Sequence, residues 1–166
     1  MIFERPAGPD VQLVSHCATD GDEVPQLRDK VVRIEKAMLE MPQVEIPPRH
    51  FFAKGLYARE ITIPKGVLAT SAIHLFEHID IIAKGDISVL TDEGVKRIQA
   101  PATFVSQPGL KRIGYAHEDT VWISIIACEE RDLEKIEETL VVGSYEEFAL
   151  AQKRMEGQAW PLLSRQ

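Results

Sequence analysis

The sequence predicts a mainly β domain framed by helices, and three observations lead there. Between Tyr57 and Cys128, short apolar runs recur at roughly ten-residue spacing with Pro and Gly turns between them, the rhythm of a sandwich or jelly-roll barrel. Ahead of that region, Leu27, Val31, Ile34, Met38 and Met41 follow a four-three-four-three spacing, which is helical. Behind it, acidic amphipathic segments carry helix-start signals. A chain of 166 residues is one domain with short additions, large enough to bury an ordinary core.

Residues 1–23 carry Pro6, Gly8, Pro9, Asp10, Asp20, Gly21 and Asp22 and read as an extended arm, in which Val11, Leu13 and Val14 suffice for one short strand. Residues 24–42 read as an amphipathic helix. Pro25 sits in its first turn, Asp22 and Glu23 lie at its positive end, and Pro42 stops it. Its narrow seam packs either on the barrel's own wall or on a copy in another subunit, which makes Leu27, Val31, Ile34 and Met38 candidate oligomer contacts. About two heptads make a weak coiled coil alone, which favours the barrel wall.

Residues 44–128 form the β region. After a break at Pro47-Pro48, Tyr57 to Ile63 alternates as a strand does and Pro64-Lys65-Gly66 turns the chain. Ile79 to Lys84, Gly85-Asp86 and Ile87 to Leu90 make a strand–turn–strand unit. Gly94 supplies the positive φ of the hairpin turn that begins at Thr91. Strands over Val95–Ile98, Ala102–Val105 and Thr120–Cys128 complete the series, with Trp122 expected in the core. Residues 129–166 are a helical extension and tail. Arg131 to Leu140 is amphipathic through Leu133, Ile136 and Leu140, and Ser144 with Glu147 has capping-box form. Phe148, Ala151 and Met155 share a stripe, and Trp160, Leu162 and Leu163 suit docking on the chain itself or on a neighbour.

Bulk properties exclude several classes. A net charge of −7 with scattered basic residues argues against nucleic acid as a partner. No apolar run approaches the ~20 residues that span a bilayer, and no signal-peptide pattern is present. Cys17 and Cys128 suggest no disulfide framework: Cys128 reads as a small buried hydrophobe and Cys17, beside His16, as a loop bystander. A cytoplasmic protein is the expectation.

The stretch from Gly66 to Gly85 carries the most information. Both glycines match the ends of the first cupin motif, whose ligand positions fall on Ala72, His74 and His78. The second motif falls on Pro101, Gln107, Gly109, Arg112 and Ala116, and only Gly109 matches. The chain thus resembles the cupin superfamily, RmlC-like jelly rolls, with degenerate metal motifs. The stretch from Arg49 to Ile61 also resembles small uncharacterised cupin-like proteins of tailed phages and prophages. The resemblance implies a single jelly-roll barrel, to which the residue patterns add an N-terminal helix and C-terminal helices.

In a regular strand His74, Phe76, His78, Asp80 and Ile82 share one face, which by resemblance looks into the barrel. The other side, with Ile73, Leu75, Ile79 and Ile81, is too apolar to face water, so the helix, the arm or a second subunit covers it. Ile79 and Ile81 are therefore candidate oligomer contacts, with Trp160, and a homo-oligomer is expected. A divalent metal would use His74 and His78, with Asp80, and His50 or His117 from elsewhere. However, same-face neighbours on a strand lie ~6.6 Å apart, which suits two ligands better than three, and the permanent cation of Arg112 repels a metal. No cofactor is expected.

Without metal, Arg112 offers a fork for a carboxylate or phosphate, Asp80 sets the tautomer of His78, and His74 is a second base. Tyr57, Arg59 and Tyr115 are candidates to line the same cavity, Arg59 and Glu60 reading otherwise as solvated charges. Equally, Arg112 neutralises Asp80 or Glu77 and the histidines are satisfied core residues. Two functions follow. One is a non-catalytic structural or binding module in a homo-oligomer, phage-encoded or virion-associated, its barrel filled by Phe76, Phe104 and Ile82. The other is a small isomerase-like, epimerase-like or metal-dependent enzyme acting on a sugar or anionic metabolite, its cavity open with Arg112 pointing inward.

Overall fold

The computed structural model describes residues 23–91 and 93–155. The predicted arm and tail, with Cys17 and Trp160, lie outside the described residues. The chain opens with α1 (Glu23–Leu39), then runs through β1 (Arg49–Ala53), β2 (Leu56–Ile63), β3 (Leu68–Thr70), β4 (Ile73–His74), β5 (His78–Lys84) and β6 (Asp86–Thr91). β7 (Gly94–Gln99), β8 (Ala102–Ser106), β9 (Ile113–Ala116) and β10 (Thr120–Ala127) follow, then α2 (Leu133–Leu140), β11 (Val141–Val142) and α3 (Tyr145–Met155). A five-stranded antiparallel sheet of order β1-β2-β10-β5-β8 faces a four-stranded sheet of order β3-β9-β6-β7. Together they make the predicted jelly-roll barrel, with its N-terminal helix and C-terminal helices.

Alternation explains the barrel wall. Inward positions Ile63, Ile82, Ile87, Val89, Ile98, Phe104 and Ala116 form the core between the sheets. Burying each large aliphatic chain among them stabilises the fold by about 1.5–3 kcal/mol. Outward positions in the five-stranded sheet align in register: Phe51, Ala58, Ile125, Ile79 and Val105 form one row across all five strands. Phe51, Ile79 and Val105 are each over 40% exposed in this row, although they are apolar.

The C-terminal helices pack against the barrel. Asp132 caps α2 by accepting a hydrogen bond from the Glu134 amide at 3.1 Å, and Ile136 and Leu140 pack with Tyr57, Ile126 and Cys128. Cys128 is the buried free thiol expected. The capping box at α3 forms in both directions: the Glu147 amide donates to Ser144 Oγ at 3.1 Å and the Ser144 amide to Glu147 Oε2 at 3.3 Å. The stripe of α3 packs Phe148, Ala151 and Met155 with Ile73 and Leu75. That corrects part of the expected outer face, because α3 covers Ile73 and Leu75 and leaves Ile79 exposed.

Helix α1 is shorter than predicted and faces its own chain. Val31 is fully buried, Arg28 stacks over the Tyr145 ring at 4.7 Å, and Lys111 Nζ meets the Glu35 carboxylate at 2.6 Å. Val31 is therefore an internal contact and not an oligomer contact. Leu27, Ile34 and Met38 are half-buried on the same helix.

Two of the matched glycines are required by the packing. Gly85 has φ +95°, and a Cβ there would sit 2.5 Å from the Asp119 carbonyl oxygen. Gly109 has φ +78°, and its Cβ would sit 2.6 Å from the Phe148 ring. The Gly109 amide also donates to the His74 carbonyl at 2.9 Å. It thereby ties the loop that carries Arg112 to both β4 and α3.

Candidate functional site

The histidines converge by a route that alternation does not foresee. β4 ends at His74 and β5 begins at His78, with a bend over residues 75–77 between them. The bend folds the two rings together, with centroids 4.2 Å apart. β11 pairs with β4, setting Val141 opposite His74, and this holds the short strand against α2.

Asp80 lies at the centre and is 2% exposed. Its Oδ1 accepts from Trp122 Nε1 at 2.9 Å and from Ser124 Oγ at 2.6 Å. Its Oδ2 accepts from Ser106 Oγ, with His78 Nε2 at 3.4 Å and Arg112 Nη1 at 3.6 Å. Burial opposes the Asp80 charge, but hydrogen bonds from His78, Ser106 and Ser124 outweigh it and hold the carboxyl well below the usual range. Arg112 is fixed in turn. Its amide donates to Ser71 Oγ at 2.9 Å, and its guanidinium lies 5.4 Å from the Phe104 ring centroid. Burial lowers its pKa and the Asp80 charge raises it.

His74 is the exception. Its Nδ1 is buried and has no hydrogen-bond partner, which costs about 1–3 kcal/mol if nothing supplies one. Burial first, and then repulsion from the His78 ring, lower its pKa to about 4. The ring is therefore neutral near pH 7.

These groups wall a cavity of about 300 Å³, at the small end of ligand pockets. Tyr57, Arg59, Trp122 and Ser124 line it together with His74, His78, Asp80 and Arg112. Ile136, Glu137 and Leu140 of α2 also line it. Phe104 and Ile82 fill the core between the sheets, as the module reading expects, and neither lines the cavity.

Of the predicted site residues, the fold brings together Tyr57, His74, His78, Asp80 and Arg112. Tyr115 does not join them: it is 43% exposed on β9 and packs edge-on against His117. His117 bonds Ser88 Oγ at 2.7 Å and His50 bonds the Tyr57 hydroxyl at 2.8 Å, so neither completes a metal set. Arg59 is a cavity residue and not a solvated charge, because it shares the inward phase of Tyr57, Ile61 and Ile63. Trp122 does more than fill the core, since it serves Asp80. Ser106 and Ser124 were missed, and a serine inside the apolar run of β10 was the available signal for Ser124.

A divalent metal does not suit this donor set. Both Asp80 oxygens already accept hydrogen bonds within the chain, and Arg112 stands beside them. His78 has its Nδ1 3.1 Å from the Phe76 carbonyl and its Nε2 facing Asp80. Among the described residues no group of three or more His, Cys, Asp or Glu side chains has metal-holding geometry.

No protein-family model and no curated protein matches the sequence. Solved structures are similar at low identity. A cupin domain from Bordetella pertussis has 15% identity and a TM-score of 0.42 over 53% of this chain and 98% of its own. An RmlC-like cupin from Shewanella frigidimarina has 20% identity and a TM-score of 0.43 over 55% and 89%. KdgF from Halomonas sp. has 18% identity and a TM-score of 0.45 over 56% and 88%. None of the three is described as a phage protein. Likeness at this level says nothing about activity. Among the described residues no helix is long and apolar enough to cross a membrane.

Proposed function

We propose that the barrel is a metal-independent binding chamber for a small polar molecule, with Asp80 as its fixed internal hub and His74 as a ligand contact. One observation carries this reading: both Asp80 oxygens accept hydrogen bonds, whereas His74 Nδ1 is the one fully buried side-chain nitrogen or oxygen without a partner among the described residues. A ligand hydroxyl or amide in the adjoining cavity would supply one. Binding is favoured over general-base chemistry by magnitude. A histidine with a pKa of about 4 has a proton affinity weaker than an ordinary one by roughly 3 kcal/mol, which suits a hydrogen-bond acceptor better than a base.

The test is a thermal-shift screen of EDTA-treated protein against small polyols, hydroxy acids and sugar acids, repeated with Ala69→Phe. Ala69 lines the cavity, and a ring there fills it. Ligands that raise Tm for the native chain and not for the variant support the reading. Stabilisation that appears only after a divalent metal is added refutes metal independence.

A second, compatible reading concerns the outer sheet face. None of the row Phe51, Ala58, Ile125, Ile79 and Val105 is charged, and Phe51, Ile79 and Val105 in it are exposed, on a chain carrying −7. An apolar row of this kind suits a second copy related by a two-fold axis, with Ile81, two residues on from Ile79 along β5, in the contact. Light scattering of the native chain against Ile79→Lys tests it: a dimer that becomes a monomer supports the interface, and an unchanged mass refutes it.

A further inference from the structure

Two arginines face the cavity, and their situations differ. Arg112 is paired with Asp80, is held through its backbone by Ser71, and lies over Phe104. Arg59 lines the same cavity, projects from β2 in phase with Tyr57, and makes no ion pair or side-chain hydrogen bond among the described residues. It is half-buried. Its charge opposes the burial that raises the Tyr57 pKa, and adds to the burial and the His78 repulsion that lower the His74 pKa. Glu137 also lines the cavity, on α2, but does not come within ion-pairing distance of Arg59. A half-buried guanidinium with five donors and no acceptor has unmet capacity for a planar oxyanion.

We infer that Arg59 is the anion-binding residue of the chamber and that the ligand is a small hydroxycarboxylate, its carboxylate on Arg59 and its hydroxyl on His74. The inference rests on the chamber reading above and narrows it. Arg112 then keeps the charge balance of the Asp80 hub and takes no direct part in carrying the ligand's charge. Two residues with unmet hydrogen-bonding capacity, Arg59 and His74, thus line one small cavity. A ligand with one charged end and one hydroxyl satisfies both, whereas a neutral polyol satisfies only one.

Calorimetric titration of the full EDTA-treated chain with glycerate, glyceramide and glycerol tests this. The expected result is that glycerate binds at least tenfold more tightly than glyceramide or glycerol. Arg59→Gln should abolish that preference, and Arg59→Lys should keep part of it because the charge remains without the fork. Equal affinity for glycerate and glyceramide would overturn the role of Arg59 while leaving the chamber intact. Binding of none of the three by a folded chain would overturn the carboxylate assignment. If the whole small-molecule panel also failed, the chamber reading would fall with it. Retention of the glycerate preference in Arg59→Gln would overturn the residue assignment alone. Thermal unfolding of each variant confirms that the fold is kept.

Discussion

Replacing Asp80 by alanine removes the acceptor on which the site converges. Ser106, Ser124 and Trp122 all donate to it, and Arg112 is its ion partner. Summing hydrogen bonds would overcount, because these groups share one carboxylate. The better guide is what stays behind: a buried cation with no counter-charge, flanked by donors with no acceptor. Breaking one side of such a buried pair costs about 3–5 kcal/mol. For a chain of this size that lowers Tm by roughly 8–15 °C. Asp80→Asn keeps the shape but turns one oxygen into a donor facing Ser106 or Ser124, so about 2–4 kcal/mol is expected. Urea unfolding followed by far-ultraviolet circular dichroism measures both, with Ser124→Ala, at about 1 kcal/mol, as the reference for one lost bond. A loss below about 1 kcal/mol for Asp80→Ala would refute the view that this carboxylate organises the barrel interior.

Other consequences follow from the same geometry. Because the folded pKa of His74 is about 4 and its ordinary value 6.5, the unfolded chain takes up a proton first as pH falls. Its contribution is therefore intact above 6.5 and lost between 6.5 and 4 at up to about 1.4 kcal/mol per pH unit. His74→Gln should flatten that part of a stability-against-pH curve, and an unchanged slope would contradict the buried neutral ring. Gly85→Ala forces both a positive φ and a clash with the Asp119 backbone, for an expected loss of about 2–4 kcal/mol by urea unfolding. Gly66→Ala shares the positive φ but meets nothing within 4 Å and should cost about 1 kcal/mol. Equal losses would refute the close-approach argument. Phe148→Ala empties the space under α3 and should cost about 3–4 kcal/mol. It should also weaken ligand binding, because Phe148 abuts Gly109 on the loop leading to Arg112, and unaltered affinity would show that the loop is held in some other way.

Much of the barrel was legible because its long strands alternate. β2, β5 and β10 each keep one apolar face, and the turns at Gly85 and Gly94 fall where glycine is needed. β1, β3 and β9 escaped notice for physical reasons. Arg49 to Ala53 has no alternation because both flanking faces are solvated, β3 has three residues, and Gly114 interrupts the apolar pattern of β9. That last omission misplaced Tyr115, whose direction depends on where β9 begins. Alternation along β2 sets Arg59 inward with Tyr57 and Ile63, whereas a charge in a strand ordinarily suggests solvent, so the sequence leaves both readings of Arg59 open. The meeting of His74 with His78 lay beyond periodic reasoning, since it depends on a bend at residues 75–77 and on a two-residue strand held by β11. The hub was half visible: Asp80 stood out as a candidate, whereas Ser106, Ser124 and Trp122 acquire meaning only once the sheet sets them around it.

The most direct test is a crystal structure of the EDTA-treated full chain soaked with glycerate. The account predicts the ligand inside the barrel, its carboxylate on Arg59 and its hydroxyl within hydrogen-bond distance of His74 Nδ1, with the Asp80 hub unmoved. A metal ion bridging His74 and His78, or a barrel that stays empty at saturating glycerate, would contradict it.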